Sequence, residues 1–270
     1  MTLLKVKDLT VRDVRNNEIV VKNINFDLAA NTCLGIVGES GSGKSMTCKA
    51  LLGLTHPWLK VTGQIDFDGK NLLTVSRETL RQIRGQRIGM VLQDAMTAFD
   101  PLCTIGDQMI ETLCEHTAVN KKAAATAVEE ALEKMCIREP IAVCKKYPHQ
   151  LSGGMLQRCM IALTIALKPD IIIADEPTTA LDSINQREVV EEFQRLRELT
   201  GTALIFISHD LGIVQSLAHQ VLVMRNGERV EYGAAQAVFQ NPQHEYTRYL
   251  VDTRISLTQS FRDAMQKRCG

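Results

Sequence analysis

Gly38-Glu39-Ser40-Gly41-Ser42-Gly43-Lys44-Ser45 fits G-x-x-x-x-G-K-[ST] at every fixed position, and it follows the apolar run Cys33 to Val37. That order dictates local structure: a buried strand, a turn whose glycines reach φ values other residues resist, and a helix with the positive end of its dipole at the turn. Successive amides of such a turn point into one concavity and cradle phosphate oxygens, with Lys44 reaching the β and γ phosphates and the Ser45 hydroxyl binding Mg²⁺. A glycine-rich turn that binds nothing would not need the lysine, the serine and the flanking strand together. The motif serves ATPases, GTPases and kinases alike, so the rest of the chain must decide among them.

A strand in that position is covered on both faces, so more strands and helices must alternate along the 270 residues. Leu3 to Val11 and Val20 to Leu28 alternate loosely around the polar Arg15-Asn16-Asn17-Glu18, which predicts two antiparallel strands in a small β layer. Next come a helix from Lys44 to about Leu54, a short strand with a turn over Ile65 to Lys70, and a buried strand over Ile88 to Leu92. Between Gly106 and Lys145 the pattern turns alanine-rich and helical, so residues 96–158 read as an inserted helical subdomain. Helix (Met155 to Leu167), strand (Asp170 to Ala174), helix (Gln186 to Leu199), strand (Ala203 to Ile207), helix (Leu211 to Ala218) and two closing strands (Val221 to Arg225, Glu228 to Tyr232) follow. The predicted fold class is α/β, a P-loop NTPase with a largely parallel sheet, in which residues 1–250 form one domain and 251–270 a short helical tail.

Lys plus Arg and Asp plus Glu each number 31, so no net field draws nucleic acid or an anionic membrane. Nucleic acid is not an expected partner, and membrane association is expected only through another protein. No apolar run approaches the roughly 20 residues of a spanning helix, and Met1 to Asp13 is too charged for a secretory signal. A cytoplasmic location follows. The eight cysteines (33, 48, 103, 114, 136, 144, 159 and 269) include no C-x-x-C pair, so buried free thiols are expected rather than a zinc site or disulfides.

Ile171-Ile172-Ile173-Ala174-Asp175-Glu176-Pro177 is a β-branched run ending in two carboxylates. Asp175 at the strand end can hold the magnesium shell, and Glu176 beside it can orient or deprotonate the attacking water. Two acids there could instead only cap a helix, a weaker reading after so apolar a run. Leu151-Ser152-Gly153-Gly154-Met155-Leu156-Gln157-Arg158 places Ser152, Gly153 and Gly154 at the start of the helix near Met155, a second anion site.

Phosphate loop, Leu151 to Arg158 and acidic strand end, at this order and spacing, resemble the ATP-binding-cassette ATPases over roughly residues 3 to 250. The resemblance implies ATP and Mg²⁺ as ligands and gives further residues their roles. Gln93 matches the Q-loop glutamine that touches magnesium and couples to a membrane partner. His209, after the strand at Ile205 to Ile207, matches the switch histidine at the γ phosphate, while the remaining histidines carry no functional expectation. Ala180-Leu181-Asp182 matches the D-loop. In that family two cassettes pair head to tail, each ATP lying between one phosphate loop and the other chain's Ser-Gly-Gly, so hydrolysis implies a dimer. Members usually stack an aromatic residue on adenine after the first strand; here Arg12 or Asp13 falls near that spot. Arg12 is placed to stack by its guanidinium plane, and without that GTP should compete unusually well with ATP.

Met96-Thr97-Ala98-Phe99-Asp100-Pro101-Leu102, Ala174 to Asp182 and Asn241-Pro242-Gln243-His244-Glu245-Tyr246-Thr247 are similar to the subgroup that imports peptides and nickel. A tail ending at Gly270 without a cysteine cluster, and Ala98-Phe99-Asp100-Pro101, incline the resemblance toward the nickel-import ATPase; a di- or oligopeptide importer is the alternative. The implied partners are two integral-membrane permeases, a second cassette of a different chain and, indirectly, an extracytoplasmic substrate-binding protein, with this subunit peripheral on the cytoplasmic side of the inner membrane. A docking face is expected over Gln93 to Ile105 and the helices to about Arg138. The rivals are a cassette acting on DNA or ribosomes, a nucleotide-gated regulator and a cysteine-based metal binder. They lack, respectively, a heptad run or basic surplus, a reason to keep Glu176, and a ligand spacing.

Overall fold

The computed structural model describes residues 2–179 and 181–253; Ala180 and the tail from 254 onward, Cys269 included, lie outside the described residues. The strands are β1 (Thr2–Asp13), β2 (Ile19–Ala29), β3 (Cys33–Val37), β4 (Leu59–Phe67), β5 (Lys70–Asn71), β6 (Ile88–Val91), β7 (Ile171–Asp175), β8 (Ala203–Ile207), β9 (Gln220–Arg225) and β10 (Glu228–Ala234). The helices are α1 (Lys44–Leu51), α2 (Arg77–Ile83), α3 (Ile105–His116), α4 (Lys121–Lys134), α5 (Pro140–Cys144), α6 (Gly153–Ala166), α7 (Ser183–Thr200), α8 (Leu211–Leu217) and α9 (Ala235–Gln240), and residues 245–253 are helical as well.

All ten strands form one sheet in the order β5-β4-β1-β2-β10-β9-β3-β8-β7-β6. From β9 to β6 every neighbour is parallel. The β1, β2, β4 and β5 layer is antiparallel, as expected. The two halves join where Glu228 pairs with Lys22 in parallel register, reinforced by an ion pair of 2.6 Å.

Because side chains alternate along a strand, the parallel strands feed two cores. Ile171, Ile173, Leu34, Ile36, Ile205 and Ile207 face α1 and the antiparallel layer. Ile172, Ala174, Cys33, Val37, Leu204 and Phe206 belong to the opposite core, shared with Met109 of α3, Val128 and Leu132 of α4, and Leu156 and Cys159 of α6. Burial on both faces accounts for the unbroken apolar runs of β3, β7 and β8.

Three local differences from the sequence reading have physical causes. β4 begins at Leu59 rather than Ile65, and its first half shows a largely exposed pattern that carries no hydrophobic signal. Its Gly63 stands opposite a bulge in β1, Asp8 and Leu9 against one residue; φ there is +114° and a Cβ would lie 2.7 Å from the carbonyl oxygens of Lys7 and Asp8, so only glycine fits. α2 was not anticipated; Ser76 caps it by accepting from the Thr79 amide at 3.1 Å, and only Ile83 is buried, too short a stripe to show periodicity. α1 stops at Leu51, its C-cap Leu52 leading into the left-handed Gly53.

Candidate functional site

The phosphate loop leaves β3 and enters α1 through three left-handed glycines, Gly38 (φ +148°), Gly41 (+79°) and Gly43 (+97°). At Gly38 a Cβ would fall 2.2 Å from the Met224 carbonyl oxygen, so the loop lies directly on β9. Behind it, the Gly227 amide donates to the Ser42 carbonyl at 3.0 Å. Lys44 is buried, and its Nζ donates to the carbonyls of Gly38 (2.9 Å) and Glu39 (2.8 Å), holding the loop in a ring. Burial lowers its pKa, opposed by the charges of Glu176, Asp175 and Glu39.

β7 delivers the two acids where the sequence placed them. Ser45 Oγ donates to Asp175 Oδ1 at 2.8 Å, joining positions 130 residues apart. Burial raises the Asp175 pKa; the Ser45 hydroxyl opposes this and the Glu176 charge adds to it. Glu176 has φ +48°, a left-handed conformation that costs a residue with a Cβ ~1–2 kcal/mol. Its amide still donates to Ile207 of β8 at 3.0 Å, so the chain turns sharply at the strand end. Three groups meet its Oε2: Gln93 Nε2 donates at 3.4 Å, Thr179 Oγ1 donates at 3.1 Å, and His209 Nδ1 lies 3.4 Å away. Thr179 was not singled out in the sequence, although its place three residues after Glu176 was visible.

Gly38 to Ser45 except Ser42, together with Val20, Gln93, Glu176 and His209, line a cavity of about 430 Å³. Thus most of the predicted loop, Glu176, Gln93 and His209 converge, while Asp175 meets the site through Ser45. Ser152, Gly153 and Gly154 are elsewhere. They line a separate cavity of about 730 Å³ with Leu181, Asp182 and Arg158. Ser152 caps α6 by accepting from the Met155 amide at 3.3 Å, and Asp182 accepts from the Asn185 amide at 3.1 Å. The two cavities share no lining residue. Gln157 of α6 is buried and donates to the Leu92 carbonyl at 3.0 Å, tying the second cavity's helix to the residue before Gln93.

Arg12 donates to Asn17 Oδ1 at 2.7 Å, a bond in the guanidinium plane that leaves its faces open. Asp13 is buried and engaged by Arg15, whose guanidinium lies 4.6 Å from the Trp58 ring centroid. Among the described residues no group of three or more His, Cys, Asp or Glu could hold a metal ion as a cluster, and no helix is long and apolar enough to cross a membrane.

A phosphate loop on a parallel sheet, with paired acids at the neighbouring strand end, defines a P-loop nucleoside triphosphatase. The chain belongs, more narrowly, to the ABC transporter ATPases: residues 21–179 match the ABC transporter family. It is 45% identical over 98% of both chains to the metal-staphylopine import system ATP-binding protein CntD of Staphylococcus aureus. It is 42% identical to the dipeptide transport ATP-binding protein DppD of Lactococcus lactis, over 96% of this chain and 75% of that one. Among solved structures, an ATP-binding cassette captured as a post-hydrolysis dimer with ADP and Pi superposes with a TM-score of 0.78 at 27% identity, covering 86% of this chain and 98% of that one. The chain is therefore an ATP-binding, ATP-hydrolysing subunit of the ABC type, as the motifs implied.

Proposed function

We propose that this ATPase energises import of a transition metal, nickel or a related ion, free or carried in a small-molecule complex. The supporting observation is 45% identity to a metal-staphylopine import ATPase along 98% of both chains, with most of the phosphate loop, Gln93, Glu176 and His209 gathered around one cavity. Two permeases and a second cassette of a different chain complete the assembly, fed by an extracytoplasmic binding protein, and the subunit sits on the cytoplasmic face of the membrane. Gln93 to Ile105 and the helices to about Arg138, within the helical subdomain of residues 96–158, form the face that docks beneath the permeases, where Met96 and Leu102 are exposed apolar side chains (49% and 82%).

The chemistry follows from the residues. The loop amides and Lys44 hold the phosphate chain, and the buried lysine reaches it in a partly dehydrated cavity where its charge counts for more. Ser45 Oγ and Asp175 Oδ1 form an adjoining pair of oxygens, a donor set that suits a small hard cation. Mg²⁺ held there would neutralise charge on the β and γ phosphate oxygens. Glu176 accepts the proton of the attacking water, with its carboxylate fixed by Thr179 and Gln93, and His209 stands at the exposed side of the same oxygen to meet the γ phosphate. The cavity at Ser152, Gly153 and Gly154 faces the phosphate loop of the second cassette, and Asp182 lies beside it, so ATP closes the pair and hydrolysis reopens it.

The test is uptake into cells expressing the chain with its genomic neighbours, comparing the parent with Glu176→Gln. The substitution should keep ATP binding and slow hydrolysis by ~10²–10⁴-fold. Nickel or cobalt uptake lost with hydrolysis supports the metal reading. Dipeptide uptake lost with metal uptake unchanged supports the second reading, a peptide importer, which the 42% identity to DppD favours.

A further inference from the structure

Asn241 to Thr247 has no part in the chemistry above, yet it ends against the phosphate loop. Glu231 of β10 anchors the segment, its carboxylate accepting from the amides of Gln243 (3.0 Å) and His244 (3.1 Å). Burial opposes ionisation of Glu231, but these bonds outweigh it and hold its pKa below the ordinary value. His244 Nδ1 then accepts from the Tyr246 amide at 3.1 Å, which fixes the direction of the next turn. Tyr246 is buried (4% exposed), with the Arg225 guanidinium 4.8 Å from its ring centroid. Its hydroxyl accepts from the Glu39 amide at 3.0 Å, across 207 positions.

We infer that Tyr246 is a positioning residue for ATP, setting the entry of the phosphate loop from behind. The loop is gripped at three points by the C-terminal third of the chain: Met224 against Gly38, the Gly227 amide on Ser42, and the Tyr246 hydroxyl on Glu39. The first two are made by backbone and require glycine at 38 and 227. The third depends on one phenolic oxygen. The Glu39 carbonyl also accepts from Lys44 Nζ, so the peptide units flanking Glu39 bind the tyrosine on one side and the phosphate-binding lysine on the other. Loss of the hydroxyl leaves the Glu39 amide without its acceptor, frees the loop to rotate toward water, and loosens the bond from Lys44 Nζ to the Glu39 carbonyl. Binding then has to reorder the loop, which appears in nucleotide affinity rather than in the chemical step.

The inference rests on the ATPase assignment and not on the cargo. The experiment measures MgATP and MgADP affinity of the full chain, and steady-state hydrolysis of the transporter assembled with it, as parent, Tyr246→Phe and Tyr232→Phe. The Phe replacement keeps the ring in place beside Arg225. Tyr232→Phe is a control for loss of a hydroxyl elsewhere, since that group bonds Gln220 at 2.7 Å. Tyr246→Phe should weaken ATP and ADP about fivefold and raise KM alike, with kcat within about twofold of the parent, as loss of one neutral hydrogen bond implies. Tyr232→Phe should change neither, and melting temperatures should stay together. Parent affinity retained in Tyr246→Phe, or a fall in kcat with KM unchanged, would overturn the positioning role alone. A parent chain that bound no ATP would overturn the ATPase assignment and the positioning role with it.

Discussion

Asp175 is the residue where function and stability pull in opposite directions. Its carboxylate is buried beside Glu176, and burial raises its pKa in the folded chain. A carboxyl group with a native pKa above its unfolded one binds protons more tightly in the native state, so its contribution to stability falls as pH rises from the ordinary carboxylate range through the raised value. Asp175→Asn keeps an acceptor for Ser45 and removes that penalty. Nucleotide-free protein carrying it should melt ~2 °C higher near neutral pH, in line with about 1 kcal/mol in a domain of this size, and should lose part of the parent's decline above the acid range. Thermal scans across pH, with a hydrolysis assay beside them, check both: an unchanged melting profile would show that the buried charge is already compensated. Asp175, Glu176 and Gly38 to Ser45 were legible because their chemistry follows from local order. Gln157 and Tyr246 were not, because each acts on a group that only the tertiary fold brings near; for Tyr246 the partner lies 207 positions away, whereas Thr179 reaches Glu176 three residues earlier and was missed for want of the left-handed turn that aims that carboxylate.

At the scale of elements, the site depends on how closely α8 lies on β3, the strand that launches the loop. Gly35 makes this possible: a Cβ there would fall 2.3 Å from Val214 Cγ1 and 3.1 Å from Ala218 Cβ. Gly35→Ala should cost ~1–3 kcal/mol through overpacking, and Val214→Ala in the same chain should recover part of it by vacating the clash. Urea unfolding of both single variants and the double variant measures this; additive losses would mean that the helix shifts away freely. The parallel strands were legible as elements because they are apolar throughout, whereas the first half of β4 and the whole of α2 present mostly exposed residues and owe their shape to capping and neighbours. The acidic strand end was readable as a pair of carboxylates, but the left-handed turn of Glu176 that aims one of them was not.

Over the whole molecule, the cavity at the phosphate loop and the cavity at Ser152, Gly153 and Gly154 are separate in this chain. Ser152→Arg should therefore leave ATP affinity for the chain's own loop unchanged while lowering hydrolysis in the assembled transporter by ~10²-fold, the scale of losing one preorganised charge-stabilising group. Equilibrium binding and turnover on the same preparation separate the two effects; loss of binding in the isolated variant would place Ser152 in the chain's own site instead. The proposed pairing of cassettes rests on family resemblance alone, since composition carries no net charge or periodicity that marks an interface. Gln157, finally, gives that separation a mechanical meaning. One amide on α6 grips the backbone just ahead of Gln93, whose own side chain touches Glu176. In the proposed pair of cassettes, a nucleotide held at the start of α6 and the carboxylate of Glu176 would thus stand at the two ends of one short run of hydrogen bonds, although the cavities share no lining residue.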